Sequence, residues 1–143
     1  MKVFFEKIHP KAEIPTKKTP GSAGYDVYAC LDEEIVLKPF EVSSVPTGLK
    51  VAIPAGYHLS VRPRSGLALH QQVTLMNSPG TIDSDYRGEM RILLVNFGSK
   101  DYTIKHGDRI AQILLEKNYD IEWQESKLED TQRGQGGFGS TGR

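Results

Sequence analysis

The sequence predicts an all-β domain, a sandwich or barrel of short strands with one short helix. Most apolar runs are short, rich in Val, Ile, Leu and Tyr, and end at Pro or Gly, as residues 49–53 do before Pro54. Residues 90–95 and 110–115 are apolar on both strand faces, which indicates burial against a second sheet or a neighbouring subunit. Only residues 65–71 have a helical pattern.

The predicted elements follow one another along most of the chain. Strands are expected at residues 3–8, 25–29, 34–37, 41–45, 49–53, 57–61, 73–76, 89–97, 102–104 and 109–117. After Trp123 the only large apolar side chains are Leu128 and Phe138, and five glycines fall within the last eleven residues. Such a segment cannot build its own core, so we divide the chain into a β domain at residues 1–126 and a mobile glycine-rich C-terminal arm at residues 127–143.

Composition and charge exclude several classes of protein. A chain of 143 residues fits one domain with an independent core. Because 18 basic residues balance 18 acidic ones, the charge predicts neither nucleic acid nor an anionic membrane as a partner. Residues 1–7 carry charge too early for a signal peptide, and no apolar run is long enough to span a membrane. Together with a lone Cys30, predicted to be a buried hydrophobic residue, these features predict a cytoplasmic protein.

The segment Arg62-Pro63-Arg64-Ser65-Gly66 is a candidate phosphate site. It leads from a predicted strand into the helix, where backbone N–H groups are unpaired and the helix dipole is positive. Ser65 and Gly66 are small enough for close approach, and the forked guanidinium of Arg64 matches phosphate oxygens. An ordinary capped helix with a surface arginine has the same residues, and this segment alone favours that interpretation.

A polar segment at residues 76–88 is a candidate for acid–base chemistry. If residues 83–86 are extended, Asp83 and Asp85 share one face of the strand and Tyr86 takes the other. One acid could then orient a water molecule while the tyrosine ring packs on a flat ligand. The alternative is a solvated loop whose acids pair with neighbouring arginines. Asp83 is the stronger candidate of the two acids.

The glycine-rich run at residues 133–142 lacks the lysine of a Walker A loop and follows no predicted strand, so it is not a P-loop. Its one aromatic ring, Phe138, could stack on a base while backbone amides and Arg133 bind phosphates. Composition alone equally predicts a disordered tail. Folding over a ligand would reconcile the two interpretations.

Two further segments, at residues 23–27 and 107–112, each contain an acid. Asp26 and Asp108 could contact a hydrated metal or simply pair with an arginine. The sequence has no cluster of His and Cys that would support a zinc site held by the protein.

Taken in order, five segments resemble motifs one to five of the trimeric dUTPase family: residues 23–26, 63–66, 80–88, 107–112 and the glycine-rich run. The resemblance spans residues 23–142, and five motifs in sequence are highly specific. Val27 is a conservative departure, since leucine or isoleucine is commoner there. The resemblance implies a jelly-roll-like β subunit, a homotrimer with active sites shared between chains, and a tail that closes over a neighbour's pocket.

Carried over residue by residue, the resemblance implies that Asp83 is catalytic: it would hold the water that attacks the α-phosphorus and would contact the deoxyribose 3′-hydroxyl. Tyr86 would pack against the sugar and exclude a 2′-hydroxyl. The other implied substrate-binding residues are Asn77, Gly80, Thr81 and Ile82 for the uracil edge, Arg64, Ser65, Gly66 and Gln112 for phosphates, Arg133, Phe138, Gly139, Ser140 and Thr141 for the stacking lid and γ-phosphate, and Arg91 for a backbone contact.

The resemblance also implies Mg²⁺ chelated by the triphosphate, with Asp26 reaching it through water, and the products dUMP and pyrophosphate. This reaction keeps uracil out of DNA and supplies the precursor of dTMP. Two alternatives remain. A dCTP deaminase on a similar fold typically has a second serine where this chain has Gly66, and its catalytic acid is a glutamate. A non-catalytic β trimer that binds nucleotide or protein would lack the acid or the lid, whereas Asp83 and Phe138 are both present.

Overall fold

A computed structural model of the chain describes residues 1–139, and within that range it contains eleven strands and one helix. In chain order they are β1 Phe4–Lys7, β2 Tyr25–Tyr28, β3 Ile35–Leu37, β4 Val42–Pro46, β5 Leu49–Ala52, β6 Tyr57–Arg62, α1 Ser65–Gln71, β7 Val73–Leu75, β8 Gly80–Ile82, β9 Arg91–Asn96, β10 Tyr102–Ile104 and β11 Arg109–Lys117. Every predicted element is confirmed, with both ends within two residues of the observed bounds. The additional strand β8 was not predicted, because three residues are too few to show alternation within a turn-rich segment.

All strand pairs are antiparallel, and they form four small sheets. The largest sheet has the order β2-β11-β6-β8, and the next has the order β4-β9-β7. The pairs β1-β5 and β10-β3 complete the set. The nine-residue β11 is the central element, because it pairs with β2 along one edge and with β6 along the other.

The core lies between these sheets. The two runs predicted to be apolar on both faces are deeply buried: Leu94 and Val95 on β9 are 1% and 2% exposed, and Ile110 and Ala111 on β11 are 1% and 0% exposed. Removing such side chains from water supplies most of the stability of a small β domain. Cys30 is buried in the same core, as predicted.

One glycine is needed for the chain to pass between two of the sheets. Gly48 lies between β4 and β5 with a φ of +67°, a conformation that side chains other than glycine rarely adopt. A Cβ added there would lie 2.9 Å from each of three side-chain atoms, on His9, Ala12 and Cys30. The turn therefore depends on glycine both for its backbone angle and for its packing.

Residues 118–139 contain no strand or helix. Their large apolar side chains are exposed, including Trp123 at 89% and Phe138 at 115%. This agrees with a segment that has no core of its own. No helix within residues 1–139 has the length and apolar character that crossing a membrane requires.

Candidate active site

Three neighbouring strands of the largest sheet place polar side chains in one row. Gln112 on β11 lies directly opposite Asp26 on β2 and directly opposite Arg62 on β6. Side chains alternate between the faces of a strand, and the adjacent Val27 and Ala111 are fully buried, so this row lies on the outer face of the sheet. A carboxylate, an amide and a guanidinium are thereby brought together on a rigid surface.

A cavity of about 550 Å³ opens at this row. It is lined by Lys18, Ser22, Ala23, Gly24, Asp26, Arg62, Pro63, Gln112 and Leu114. Asp26 and Gln112 were predicted site residues, and Arg62 lies in the segment considered as a candidate phosphate site. Lys18 and Ser22 were not predicted, because they precede the nearest motif and belong to no recognisable pattern.

Gly24 creates the space that Gln112 occupies. A Cβ at position 24 would lie 2.5 Å from Gln112 Oε1 and 3.3 Å from Gln112 Cβ. The amide Nε2 of Gln112 donates to the carbonyl oxygen of Pro63 at 3.3 Å. The absence of a side chain at Gly24 thus lets the Gln112 amide lie across the floor of the cavity.

The Asp26 carboxylate is held by two arginines. Its Oδ2 accepts from Arg109 at 3.1 Å, and its Oδ1 lies 3.4 Å from Arg64 Nε. Arg64 also donates through a terminal nitrogen to the carbonyl oxygen of Arg109 at 2.8 Å. The Asp26 and Arg64 side chains are only 15% and 22% exposed, so water screens these contacts less than it would on an open surface. Of the two alternatives considered from the sequence, the structure therefore shows Asp26 paired with arginine.

The start of α1 lies next to this cluster. Arg64 is the N-cap residue with an extended backbone, and its side chain does not cap the helix. Ser65 and Gly66 are exposed, and the first turn contains no acid. The N–H groups of the first turn are therefore left without a capping side chain or a competing carboxylate, which is compatible with the predicted phosphate contact.

The edge strand β8 contains the backbone groups that are predicted to hydrogen-bond the edge of the base. It pairs with β6 through Gly80↔Val61, Thr81↔Ser60 and Ile82↔Leu59, so one side of its backbone is fixed. Gly80 is buried, and a Cβ there would approach Val61 Cβ at 3.2 Å and Asn77 Nδ2 at 3.3 Å. Glycine at this position allows the Asn77 amide to lie close to the strand.

Residues 83–86, which follow β8, form a turn. The Tyr86 N–H donates to the Asp83 carbonyl oxygen at 3.2 Å, and residues 84 and 85 have turn geometry. The extended arrangement considered from the sequence, with Asp83 and Asp85 on one face, is therefore wrong, because this turn hydrogen bond replaces strand pairing. The Tyr86 hydroxyl donates to the Glu89 carbonyl oxygen at 3.0 Å, and an added Cβ at Gly88 would collide with the tyrosine ring.

The neighbouring arginines do not neutralise the two acids of this turn. Arg87 donates to the carbonyl oxygens of Ser84 and Tyr86 at 2.7 and 2.9 Å. Among residues 1–139, neither Asp83 nor Asp85 forms an ion pair. The exposed Asp83 carboxylate is consequently available to a ligand or a water molecule.

Arg91 lies away from the cavity, at the start of β9. Its guanidinium donates to Ser44 Oγ at 2.9 Å and to a carboxylate oxygen of Glu89 at 2.8 Å. Its side chain thus links β9 to β4. A backbone contact from Arg91 to a nucleotide remains a prediction.

The described part of the tail also lies outside the cavity lining. Arg133 donates through Nε to the Gly136 carbonyl oxygen at 2.8 Å, and Phe138 and Gly139 have φ values of 49° and 87°. Ser140 and Thr141, also predicted to bind substrate, lie beyond residue 139 and outside the described residues. The single chain therefore brings together Asp26, Arg64 and Gln112, but neither the hairpin residues nor the described tail residues line the same cavity.

No group of three or more His, Cys, Asp or Glu side chains within residues 1–139 is placed to hold a metal ion. The Asp108 carboxylate, a second predicted metal contact, accepts from the Lys105 N–H at 2.8 Å and closes the turn before β11. Asp26 is thus the one acid among the described residues that line the cavity. A single carboxylate suits a magnesium ion that arrives with most of its ligands already supplied by phosphates and water.

Comparison with known proteins gives a consistent result. The dUTPase family model matches residues 10–142. A deoxyuridine 5′-triphosphate nucleotidohydrolase from Leptospira interrogans serovar copenhageni is 51% identical over 144 residues, covering 99% of each chain. The enzyme of that name from Helicobacter pylori strain J99 is 50% identical and covers 99% of this chain and 97% of its own.

Solved structures show the same fold. A dUTPase from Staphylococcus bacteriophage 80alpha with dUpNHpp superposes with a TM-score of 0.87, at 24% identity and 99% coverage of both chains. A dUTPase from phage phi11 of S. aureus, described with a structural Mg(II) ion, gives 0.79 at 22% identity, covering 90% of this chain and 98% of its own. With the family model matching most of the sequence and relatives at half identity over its whole length, the chain belongs to the dUTPase family.

Proposed function

We propose that this chain hydrolyses dUTP to dUMP and pyrophosphate, a step of nucleotide metabolism that limits uracil in DNA. The observation that carries the proposal is the row formed by Asp26, Gln112 and Arg62, with Arg64 beside it and the β8 edge in the same sheet. In a member of the dUTPase family, this arrangement gives each chain a phosphate-binding surface and a base-reading edge, which neighbouring chains would combine into one site.

The cavity at the row is the phosphate side of the proposed site. Lys18 and Arg62 line it. Arg64 lies beside the cavity, where it forms an ion pair with the lining residue Asp26. Gln112 and the exposed N–H groups of Ser65 and Gly66 supply neutral donors. Cations and oriented hydrogen-bond donors in a partly enclosed site stabilise a bound polyphosphate. Since basic and acidic residues balance over the whole chain, the attraction must come from this local site.

The edge of β8 is the base side. Because β6 holds one side of its backbone, the opposite side can offer N–H and C=O groups in a fixed pattern to the edge of uracil. Asn77 would add a side-chain contact at the same edge. A rigid backbone that hydrogen-bonds a particular base leaves its own groups unpaired when another base enters, and this penalty produces selectivity.

Asp83 follows that strand directly and is the proposed general base. Its carboxylate would take a proton from a water molecule whose oxygen attacks the α-phosphorus. The bond from the α-phosphorus to the bridging oxygen then breaks, and pyrophosphate leaves with the electron pair. Tyr86 would pack against the deoxyribose, in an orientation fixed by its hydrogen bond to the Glu89 carbonyl oxygen.

Magnesium fits the donor set as a companion of the substrate. When bound, the ion would neutralise charge on the triphosphate and help to align it. Asp26 would contact it through water, since it supplies the only carboxylate among the described residues of the cavity lining. Arg64 would then be released to a phosphate.

A complete site would require several copies of the chain. Since the β8 hairpin and the described tail do not line the phosphate cavity, we propose a homotrimer in which neighbouring subunits supply them. Residues 127–143 would form the arm that closes the site over the β domain at residues 1–126. Within the arm, Phe138 would stack on the base, while Arg133, Gly139, Ser140 and Thr141 would bind the γ-phosphate.

The test is pyrophosphate release from dUTP, dCTP, dTTP and UTP in the presence of magnesium, together with ammonia release from dCTP. Selective cleavage of dUTP supports the proposal. Ammonia release from dCTP would instead favour a deaminase. Binding of dUTP without turnover would leave a nucleotide-binding trimer.

A further inference from the structure

An irregularity in β11 determines where Arg109 points. Along the β2–β11 pair, Ala111 lies opposite Val27 and Arg109 lies opposite Tyr28, so Ile110 has no partner and forms a β-bulge. In a regular strand Arg109 would share the core face with Ala111. Instead Ile110 is 1% exposed and the Arg109 side chain is 36% exposed, so the bulge turns Arg109 out of the core.

The bulge brings Arg109 into contact with two predicted ligand-binding residues. Its guanidinium binds Asp26 Oδ2 at 3.1 Å, and its carbonyl oxygen accepts from Arg64 at 2.8 Å. Arg64 approaches the other carboxylate oxygen, Oδ1, at 3.4 Å. The side chain of Arg109 thus fixes the carboxylate, and its backbone fixes the second guanidinium.

The two carboxylate oxygens therefore have separate partners. In the proposed reaction Arg64 would move to a phosphate, which would leave Oδ1 free to contact the magnesium–nucleotide complex through water. Arg109 can stay in place, because it binds Oδ2 and need not contact the nucleotide. Without it, a carboxylate that had lost Arg64 would have no fixed orientation among the described side chains.

We propose that Arg109 is a positioning residue, which holds Asp26 in the orientation needed for the magnesium–nucleotide complex while Arg64 exchanges partners. This inference rests on the proposed function. It assigns a task to a residue that does not itself line the cavity and acts on it only through Asp26. It also explains why the strand carries a bulge at this position.

The experiment measures the affinity for dUpNHpp with and without magnesium, in wild type and in Arg109→Met. Without magnesium the variant should bind within about threefold of wild type, and with magnesium about tenfold more weakly, because only the magnesium-dependent part of binding uses an oriented Asp26. Arg109→Lys should restore most of the affinity, since a single N···O contact needs a cation but not a forked one. Lys105→Met removes an exposed charge near the start of β11 and should change neither value.

A double-mutant cycle with Asp26→Asn separates positioning from general damage. If Arg109 acts through Asp26, then adding Arg109→Met to Asp26→Asn should cause no further loss of magnesium-dependent affinity. Equal weakening with and without magnesium, additive losses in the cycle, or failure of Arg109→Lys to rescue would each overturn the inference. A wild-type chain that does not hydrolyse dUTP would refute the proposed function instead, and thermal unfolding of each variant confirms that it is folded.

Discussion

Replacing Gly24 by alanine should displace the Gln112 amide from the cavity without unfolding the chain. The new Cβ would lie 2.5 Å from Gln112 Oε1 and 3.3 Å from Gln112 Cβ and Cδ, so the amide must swing away. The backbone at Gly24 is not in the left-handed region, so alanine itself introduces no backbone strain. Loss of one hydrogen bond to a charged phosphate costs about 1.5 kcal/mol, which corresponds to about a tenfold increase in KM.

Steady-state kinetics with dUTP and a thermal unfolding curve test this reasoning together. Because Gln112 would bind the phosphates in the ground state and the transition state alike, KM should rise while kcat stays within about twofold. Gln112→Ala should have the same effect, and combining it with Gly24→Ala should add nothing. A KM within twofold of wild type, or a kcat loss without a change in KM, would refute the account of how Gly24 acts.

Three other substitutions give distinct expectations. Asp83→Asn should lower kcat by about 100-fold or more and leave binding of dUpNHpp nearly unchanged, as loss of a general base requires. Single-turnover kinetics would show whether the loss lies in the chemical step or in substrate binding. Lys18→Met should raise KM for dUTP by about threefold, since Lys18 lines the cavity, whereas Lys17→Met should not, because Lys17 lies over the Tyr25 ring. Gly48→Ala should lower the free energy of unfolding by about 2 to 4 kcal/mol in chemical denaturation, because it adds both backbone strain and overpacking. Gly56→Ala should lower it by clearly less, because Gly56 has a positive φ but open space around it.

Most of the strands could be predicted because they are short β-rich runs that end near proline or glycine. Residues 102–104 and 109–117 and the helix at 65–71 match the observed bounds. The pairing of β2 with β11, more than eighty residues apart at Asp26 and Arg109, could not be derived from local patterns. Which faces meet across a sheet depends on contacts that only the assembled core specifies.

The residues of the candidate site were likewise predicted only in part. The resemblance to the family's motifs pointed to Asp26, Arg64 and Gln112, and the structure brings these three together. Within the polar segment at residues 76–88, the position of the turn at residues 83–86 was not foreseen, because its defining contact is a backbone hydrogen bond that many sequences could make. Lys18 and Arg109 were missed because the lining of a cavity and the position of a β-bulge both depend on how distant strands pair.

The proposed hydrolysis of dUTP takes place in sites assembled from several subunits. We would co-express Asp83→Asn with a chain truncated after Asp130 and measure pyrophosphate release from dUTP. Each variant alone should be nearly inactive, since Asp83→Asn lacks the general base and the truncated chain lacks most of the arm. Random assembly of shared sites should restore about a quarter of the wild-type rate, because half the sites receive an intact hairpin and half of those an intact arm. A mixture no more active than its components would contradict the account.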